Sequence, residues 1–217
     1  MNKNVYILSG LGADERVFQH LEFTNHNISF IKWIPLFEDE KIENYAKRII
    51  EQQITSPRPI IVGLSFGGIM AIEISKLIVT EKVIIISSAK TKSEIPFYYR
   101  IFGILQLHKF IPTRLLIKSN IVTNWLFGTT SNFDKAILKD ILQDTDEHFL
   151  RWSIDKIVKW SNQTKIDNLI HIHGTGDRIL PISFLSCDIK INSGGHLMTL
   201  NKSQEINKVL KQKLDED

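Results

Sequence analysis

Gly63-Leu64-Ser65-Phe66-Gly67 sets a serine between two glycines, directly after the apolar run Ile60-Ile61-Val62 and shortly before a second apolar stretch from Ile69 to Val79. This is the pattern G-x-S-x-G, in which a strand turns abruptly into a helix and a strained backbone projects the hydroxyl. The glycines meet a steric demand, because side chains beside so tight a turn would collide with the neighbouring strand or helix. Three fixed positions alone would arise by composition in roughly one chain in fifteen of this size, so the weight falls on the strand before the motif and the helix after it. A serine hydroxyl is a poor nucleophile at neutral pH and needs a base to take its proton and a carboxylate to orient that base. His196, in Ser193-Gly194-Gly195-His196, is the candidate base, since a glycine-flanked loop brings an imidazole over a sheet edge; His20, His26, His108 and His148 have no comparable setting. Asp177, in Gly174-Thr175-Gly176-Asp177-Arg178, is the candidate acid, although aspartate is also an ordinary turn residue. Glu94, after the fourth strand-like run, is the reserve acid.

The elements that must position these residues alternate. Val5–Leu8 is an apolar run ending in Ser9-Gly10-Leu11-Gly12 and reads as strand one. Ile28–Ile34 is a second strand-like run, Ile42–Ile54 has helical spacing, Ile60–Val62 leads into the serine motif, and Val83–Ile86 is a further apolar strand. Continuous apolar strands alternating with helices imply a mostly parallel α/β sheet covered on both faces. From about Lys90 to Lys165 strand signals vanish and the chain reads as helical and rich in aromatic residues, which suggests an inserted cap at residues 90–165 within one domain whose core is residues 1–89 and 166–217. The alternation resumes with Leu169–His173, Asp188–Ile191 and a closing helix at about Gln204–Leu214.

Bulk properties narrow the function classes. A chain of 217 residues is long enough for one domain with a sizeable core. The net charge of +3 comes from dispersed lysines, so neither a nucleic-acid partner nor a membrane partner is expected, and no segment approaches the length of a membrane span. Cys187 is the only cysteine, which excludes an internal disulfide, and the N-terminal residues lack signal-peptide character, so a cytoplasmic location is expected. His171 and His173 share a strand face, but no third ligand stands at metal spacing, so packing or a hydrogen bond to the following loop is the expected use and no metal is predicted. The aromatic residues between Lys90 and Lys165 read as core, with one or two lining an apolar pocket.

Taken together, Ser9-Gly10-Leu11-Gly12-Ala13-Asp14, Gly63 to Gly68, Gly176-Asp177-Arg178-Ile179-Leu180-Pro181 and Gly195-His196-Leu197-Met198 resemble the α/β-hydrolase superfamily, and within it the small esterase and hydroxynitrile-lyase-like enzymes. The order Ser65, Asp177, His196 is that of these enzymes. The resemblance implies a minimal six-stranded sheet that begins at the family's third strand, with a lid-like cap forming part of the substrate pocket. It also implies an oxyanion hole made by the backbone N–H groups of Leu11 and Phe66. Such enzymes often carry His-Gly where this chain has Ser9-Gly10, a change that bears on substrate details. The expected reaction is hydrolysis of a small carboxylic ester or related acyl compound through an acyl-enzyme, with a small-molecule acyl substrate and no cofactor. Two alternatives stay open: lyase-type proton transfer by the same residues, and a non-catalytic small-molecule-binding protein on the same fold.

Overall fold

The computed structural model describes residues 3–110, 112 and 117–215. Six strands, β1 (Lys3–Leu8), β2 (His26–Ile31), β3 (Ile60–Leu64), β4 (Lys82–Ile86), β5 (Leu169–Gly174) and β6 (Ile189–Ile191), form one sheet in the order β2-β1-β3-β4-β5-β6. All five pairings are parallel, as in Val5 opposite Ile60 and Ile60 opposite Lys82. Side chains of the central strands alternate between two apolar layers: Val5, Ile7, Val62 and Ile84 enter one, Tyr6, Leu8, Ile61 and Val83 the other. That two-residue period leaves no polar face, which is why these strands read as unbroken apolar runs. The edge strand β2 differs. It is mostly exposed and stops at Ile31, so the run Ile28–Ile34 overestimates its C-terminal end by the residues around Trp33 that turn inward.

Helix α1 (Ile42–Gln53) buries Ile42, Tyr45, Ala46 and Ile49, one face at helical spacing, against the second layer. Helix α2 (Phe66–Ser75) is buried almost all round and starts at Phe66, three residues earlier than the apolar spacing suggests, because Gly67 and Gly68 belong to its first turn. It ends at Ser75, short of Val79, and Leu77 and Val79 lie exposed in the turn that feeds β4.

Between β4 and β5 the chain is helical: α3 (Phe97–Ile104), α4 (Ile121–Phe127), α5 (Asn132–Asp144) and α6 (Glu147–Lys159). Their ends are chemically marked. Asn120 caps α4, a Ser131–Asp134 capping box opens α5, and Asp146 accepts from the Phe149 N–H at the start of α6. Helix α5 sends Ile137, Leu138, Ile141 and Leu142 into the first apolar layer, while Phe149 of α6 joins Trp33, Tyr45 and Phe66 in the second. The short α7 (Met198–Asn201) and the amphipathic α8 (Ser203–Asp215), with Ile206, Leu210 and Leu214 inward, complete the first layer.

Candidate active site

Ser65 is the single residue between β3 and α2, and its backbone sits at φ 52°, ψ −117°, a conformation that side chains rarely adopt. The surroundings hold it there. Its N–H donates to Ile86 O (2.9 Å), and its carbonyl accepts from Gly68 N–H (2.9 Å) and from the Ser88 hydroxyl (2.7 Å). A Cβ at Gly67 would lie 2.3 Å from the Leu8 and Ser9 carbonyl oxygens, and one at Gly63 would lie 2.3 Å from Gly67 O, so the turn closes only with glycine at both places.

The loops after β5 and β6 bring the other two residues to it. Gly176 N–H donates to Gly194 O (2.9 Å), tying the acid loop to the base loop. Asp177 Oδ1 accepts from Ile179 N–H and Leu180 N–H, both at 2.9 Å, which leaves Oδ2 for His196 Nδ1 at 2.8 Å. Burial alone would raise the Asp177 pKa, but the His196 charge and hydrogen bond and the Leu180 N–H together hold it below the usual carboxylate range. Asp177 is therefore an acceptor only, so Nδ1 carries the proton and Nε2 is free to accept from the Ser65 hydroxyl, 2.8 Å away. All three residues named from sequence thus meet in one hydrogen-bonded chain.

Phe66 follows Ser65 in the chain, and Leu11 lines the same cavity as Ser65. The Phe66 N–H is the first of α2 and has no acceptor within that helix. The turn closed by Ala13 N–H on Gly10 O (3.0 Å) leaves the Leu11 N–H outside its hydrogen bond, and a Cβ at Gly10 would lie 3.4 Å from Ser65 Cβ. The serine that stands before Gly10 has a local use: the Ser9 hydroxyl donates to Ala13 O and accepts from Trp33 Nε1 (3.1 Å), bracing this turn. Glu94 does not approach His196. It accepts from Lys90 N–H (2.6 Å) and Ser186 N–H (3.1 Å), a link between the loops after β4 and β5.

The two histidines of β5 do what their place in the sequence suggests, packing together and hydrogen-bonding to the following loop. His173 is fully buried and donates from Nε2 to Leu180 O (2.9 Å), with Asp177 Oδ2 at 3.5 Å, so it braces the turn that grips the acid. His171 meets it edge to face at 5.2 Å, and burial, with lesser contributions from His173 and Lys90, lowers the His171 pKa to about 3. Among the described residues no group of three or more His, Cys, Asp or Glu side chains could hold a metal ion. Helix α4 docks on both loops: Arg178 donates to Trp125 O (2.7 Å), Leu197 N–H to Phe127 O (3.0 Å), and the Phe127 ring meets His196 edge-on.

Ser65 and His196 open into a cavity of about 610 Å³. Leu138 and Leu142 of α5, Leu150 and Ile157 of α6, and Tyr99 and Phe102 of α3 supply much of its wall. Helical spacing marks such residues as apolar but does not distinguish a packed core from a pocket lining.

No protein-family model and no curated protein matches the sequence. Solved structures do match. An N-acyl homoserine lactonase, AidH, complexed with N-butanoyl homoserine, aligns with a TM-score of 0.70 at 14% identity over 99% of this chain and 89% of its own. A thermophilic esterase from Thermogutta terrifontis aligns with a TM-score of 0.67 at 13% identity over 98% and 91%, and the hydrolase olei00960 from Oleispira antarctica with 0.68 at 12% over 100% and 92%. At such identities the likeness is one of architecture: these are hydrolase structures, and this chain has the α/β-hydrolase fold.

Proposed function

We propose that this protein is a serine hydrolase that cleaves a small carboxylic ester or a related acyl compound. The observation that carries the reading is the chain Ser65 Oγ, His196 Nε2, His196 Nδ1, Asp177 Oδ2, with 2.8 Å at each hydrogen bond, where Ser65 and His196 line an apolar cavity. In this reading Ser65 Oγ attacks the carbonyl carbon while its proton passes to His196 Nε2, and Asp177 stabilises the imidazolium. The N–H groups of Leu11 and Phe66 receive the developing oxyanion. His196 then returns the proton to the leaving alkoxide, and a water deprotonated by His196 releases the acid from the acyl-serine. Helices α3 to α6 form the cap and hold the apolar part of the substrate away from water. The structures this chain aligns with include an esterase and an N-acyl homoserine lactonase, which is consistent with an ester or related acyl substrate here. A cytoplasmic location completes the reading, on the sequence alone.

The test is rapid mixing of the enzyme with p-nitrophenyl esters of graded acyl length. The reading expects turnover of at least part of the series and, where deacylation is slow, a p-nitrophenol burst of one equivalent per chain with an acyl mass on Ser65. A lyase using the same residues would give neither, and a binding protein would give no turnover.

A further inference from the structure

None of the 24 Asp and Glu residues falls between Ile95 and Phe133, although that stretch contains Arg100, Lys109, Arg114 and Lys118. The whole-chain balance conceals this local asymmetry. The same stretch carries the most exposed large apolar side chains among the described residues: Ile121, Phe110 and Ile104 are 88%, 80% and 76% exposed. On α3 and its C-cap, Phe97, Ile101, Ile104 and Leu105 are all exposed at spacings of i, i+4, i+7 and i+8, so they form one outward stripe. Ile121, Val122 and Trp125 do the same on α4. Tyr98, Phe102 and Val122 are both exposed and part of the wall of the cavity that Ser65 also lines, so both helices border that cavity where it reaches the surface.

Scattered exposed apolar residues are ordinary, whereas a continuous set rimmed by polar groups marks an interaction surface. Charge selects the occupant. Arg100, Lys109 and Lys118 are exposed and, among the described residues, none is engaged in an ion pair. A second copy of this chain docking symmetrically through the same face would set these cations against themselves. An anionic lipid surface suits both halves of the pattern, with the apolar side chains entering the boundary below the headgroups and the cations meeting their phosphates. No helix among the described residues is long and apolar enough to cross a membrane, so the contact is peripheral. We propose that the outward face of α3, the turn Leu107–Phe110 and the start of α4 docks this protein on an anionic lipid surface, with the cavity mouth turned toward the lipid.

Co-sedimentation of the full chain with vesicles tests this, using phosphatidylcholine alone and phosphatidylcholine with phosphatidylglycerol. Binding to the anionic vesicles is expected, weakened at least about tenfold when phosphatidylglycerol is left out or salt is raised to 1 M. The triple variant I104D/F110D/I121D, none of whose positions lines the cavity, should keep the wild-type circular dichroism and lose binding. If that variant misfolds, R100E/K109E/K118E should lose the preference for anionic vesicles. Wild-type protein that stays in the supernatant with anionic vesicles overturns the proposal, and so does binding that either folded variant retains in full. A dimer in sedimentation velocity that the triple variant abolishes, without vesicle binding, would assign the face to a second copy.

Discussion

Four contacts fix Asp177, since two backbone N–H groups hold Oδ1, His196 takes Oδ2, and His173 braces the same turn from behind. Asp177→Asn keeps the shape but offers an amide where Nδ1–H needs an acceptor, which favours the wrong imidazole tautomer. A fall in kcat/KM on the order of 10⁴ is expected for ester hydrolysis, the size found when such an acid is neutralised in a serine protease. Glu94→Gln, remote from His196, should change kcat/KM by less than about threefold, and the opposite ranking would move the acid role to Glu94. His171 makes a different prediction. Its folded-state pKa is about 3, against about 6.5 in an unfolded chain, so between those values the unfolded chain binds a proton that the folded protein excludes. The associated stability is complete above pH 6.5 and is lost as the pH falls toward 3. Thermal melts of His171→Leu should therefore show a shallower decline in Tm between pH 6.5 and pH 4 than wild type, and parallel declines would remove His171 from the account. Ser65, Asp177 and His196 were legible in the sequence because each sits in a glycine-marked loop beside a strand. The hydrogen bond from the His171–His173 face to the following loop was legible as well, and His173 makes it to Leu180 O; the partner of Ser9 was not, because Trp33 is brought to it only by the folded chain.

At the scale of elements, α4 is the piece that packs directly on the loop carrying His196. Its C-terminal cap Gly128 has φ 72°, and a Cβ there would lie 2.8 Å from Gly195 Cα, next to His196. Gly128→Ala must both strain a left-handed cap and push the base loop away from Ser65. Since displacements near 1 Å at reacting groups cost on the order of 10² in rate, kcat/KM should fall about a hundredfold with a smaller change in KM. Full activity in a folded Gly128→Ala protein would mean that α4 does not set the position of His196. The sequence located most elements but misjudged ends where tertiary contacts override local preference. Helix α2 starts at Phe66 because Gly67 and Gly68 are needed for close approach to β1 and Ser88, which outweighs their poor helix propensity. Strand β2 ends at Ile31 because it has a neighbour on one side only, and Trp33 leaves the sheet to pack on Phe66 and Phe149.

Across the whole molecule, the parallel sheet with both faces covered followed directly from unbroken apolar strands alternating with helices, and five parallel pairings bear it out. The placement of α3 to α6 did not follow, because helical periodicity says which side of a helix is apolar but not what it meets. In the folded chain those helices are divided between tasks. Helix α5 completes one apolar layer and α6 the other, while α3 and α4 border the cavity mouth and expose an apolar, cationic face. The fold brings the Ser65 hydroxyl within 2.8 Å of His196 Nε2 on the wall of an apolar cavity, and the proposed function requires Ser65 to be the group that reacts there. Inactivation by a p-nitrophenyl alkylphosphonate, with the adduct mapped by peptide mass spectrometry, tests that claim most directly, because the phosphonylated product does not turn over. One adduct per chain is expected, on Ser65, absent in Ser65→Ala and formed at least about 10³ more slowly in His196→Ala. An adduct on any other residue, stoichiometric labelling of Ser65→Ala, or undiminished labelling of a folded His196→Ala protein would contradict it.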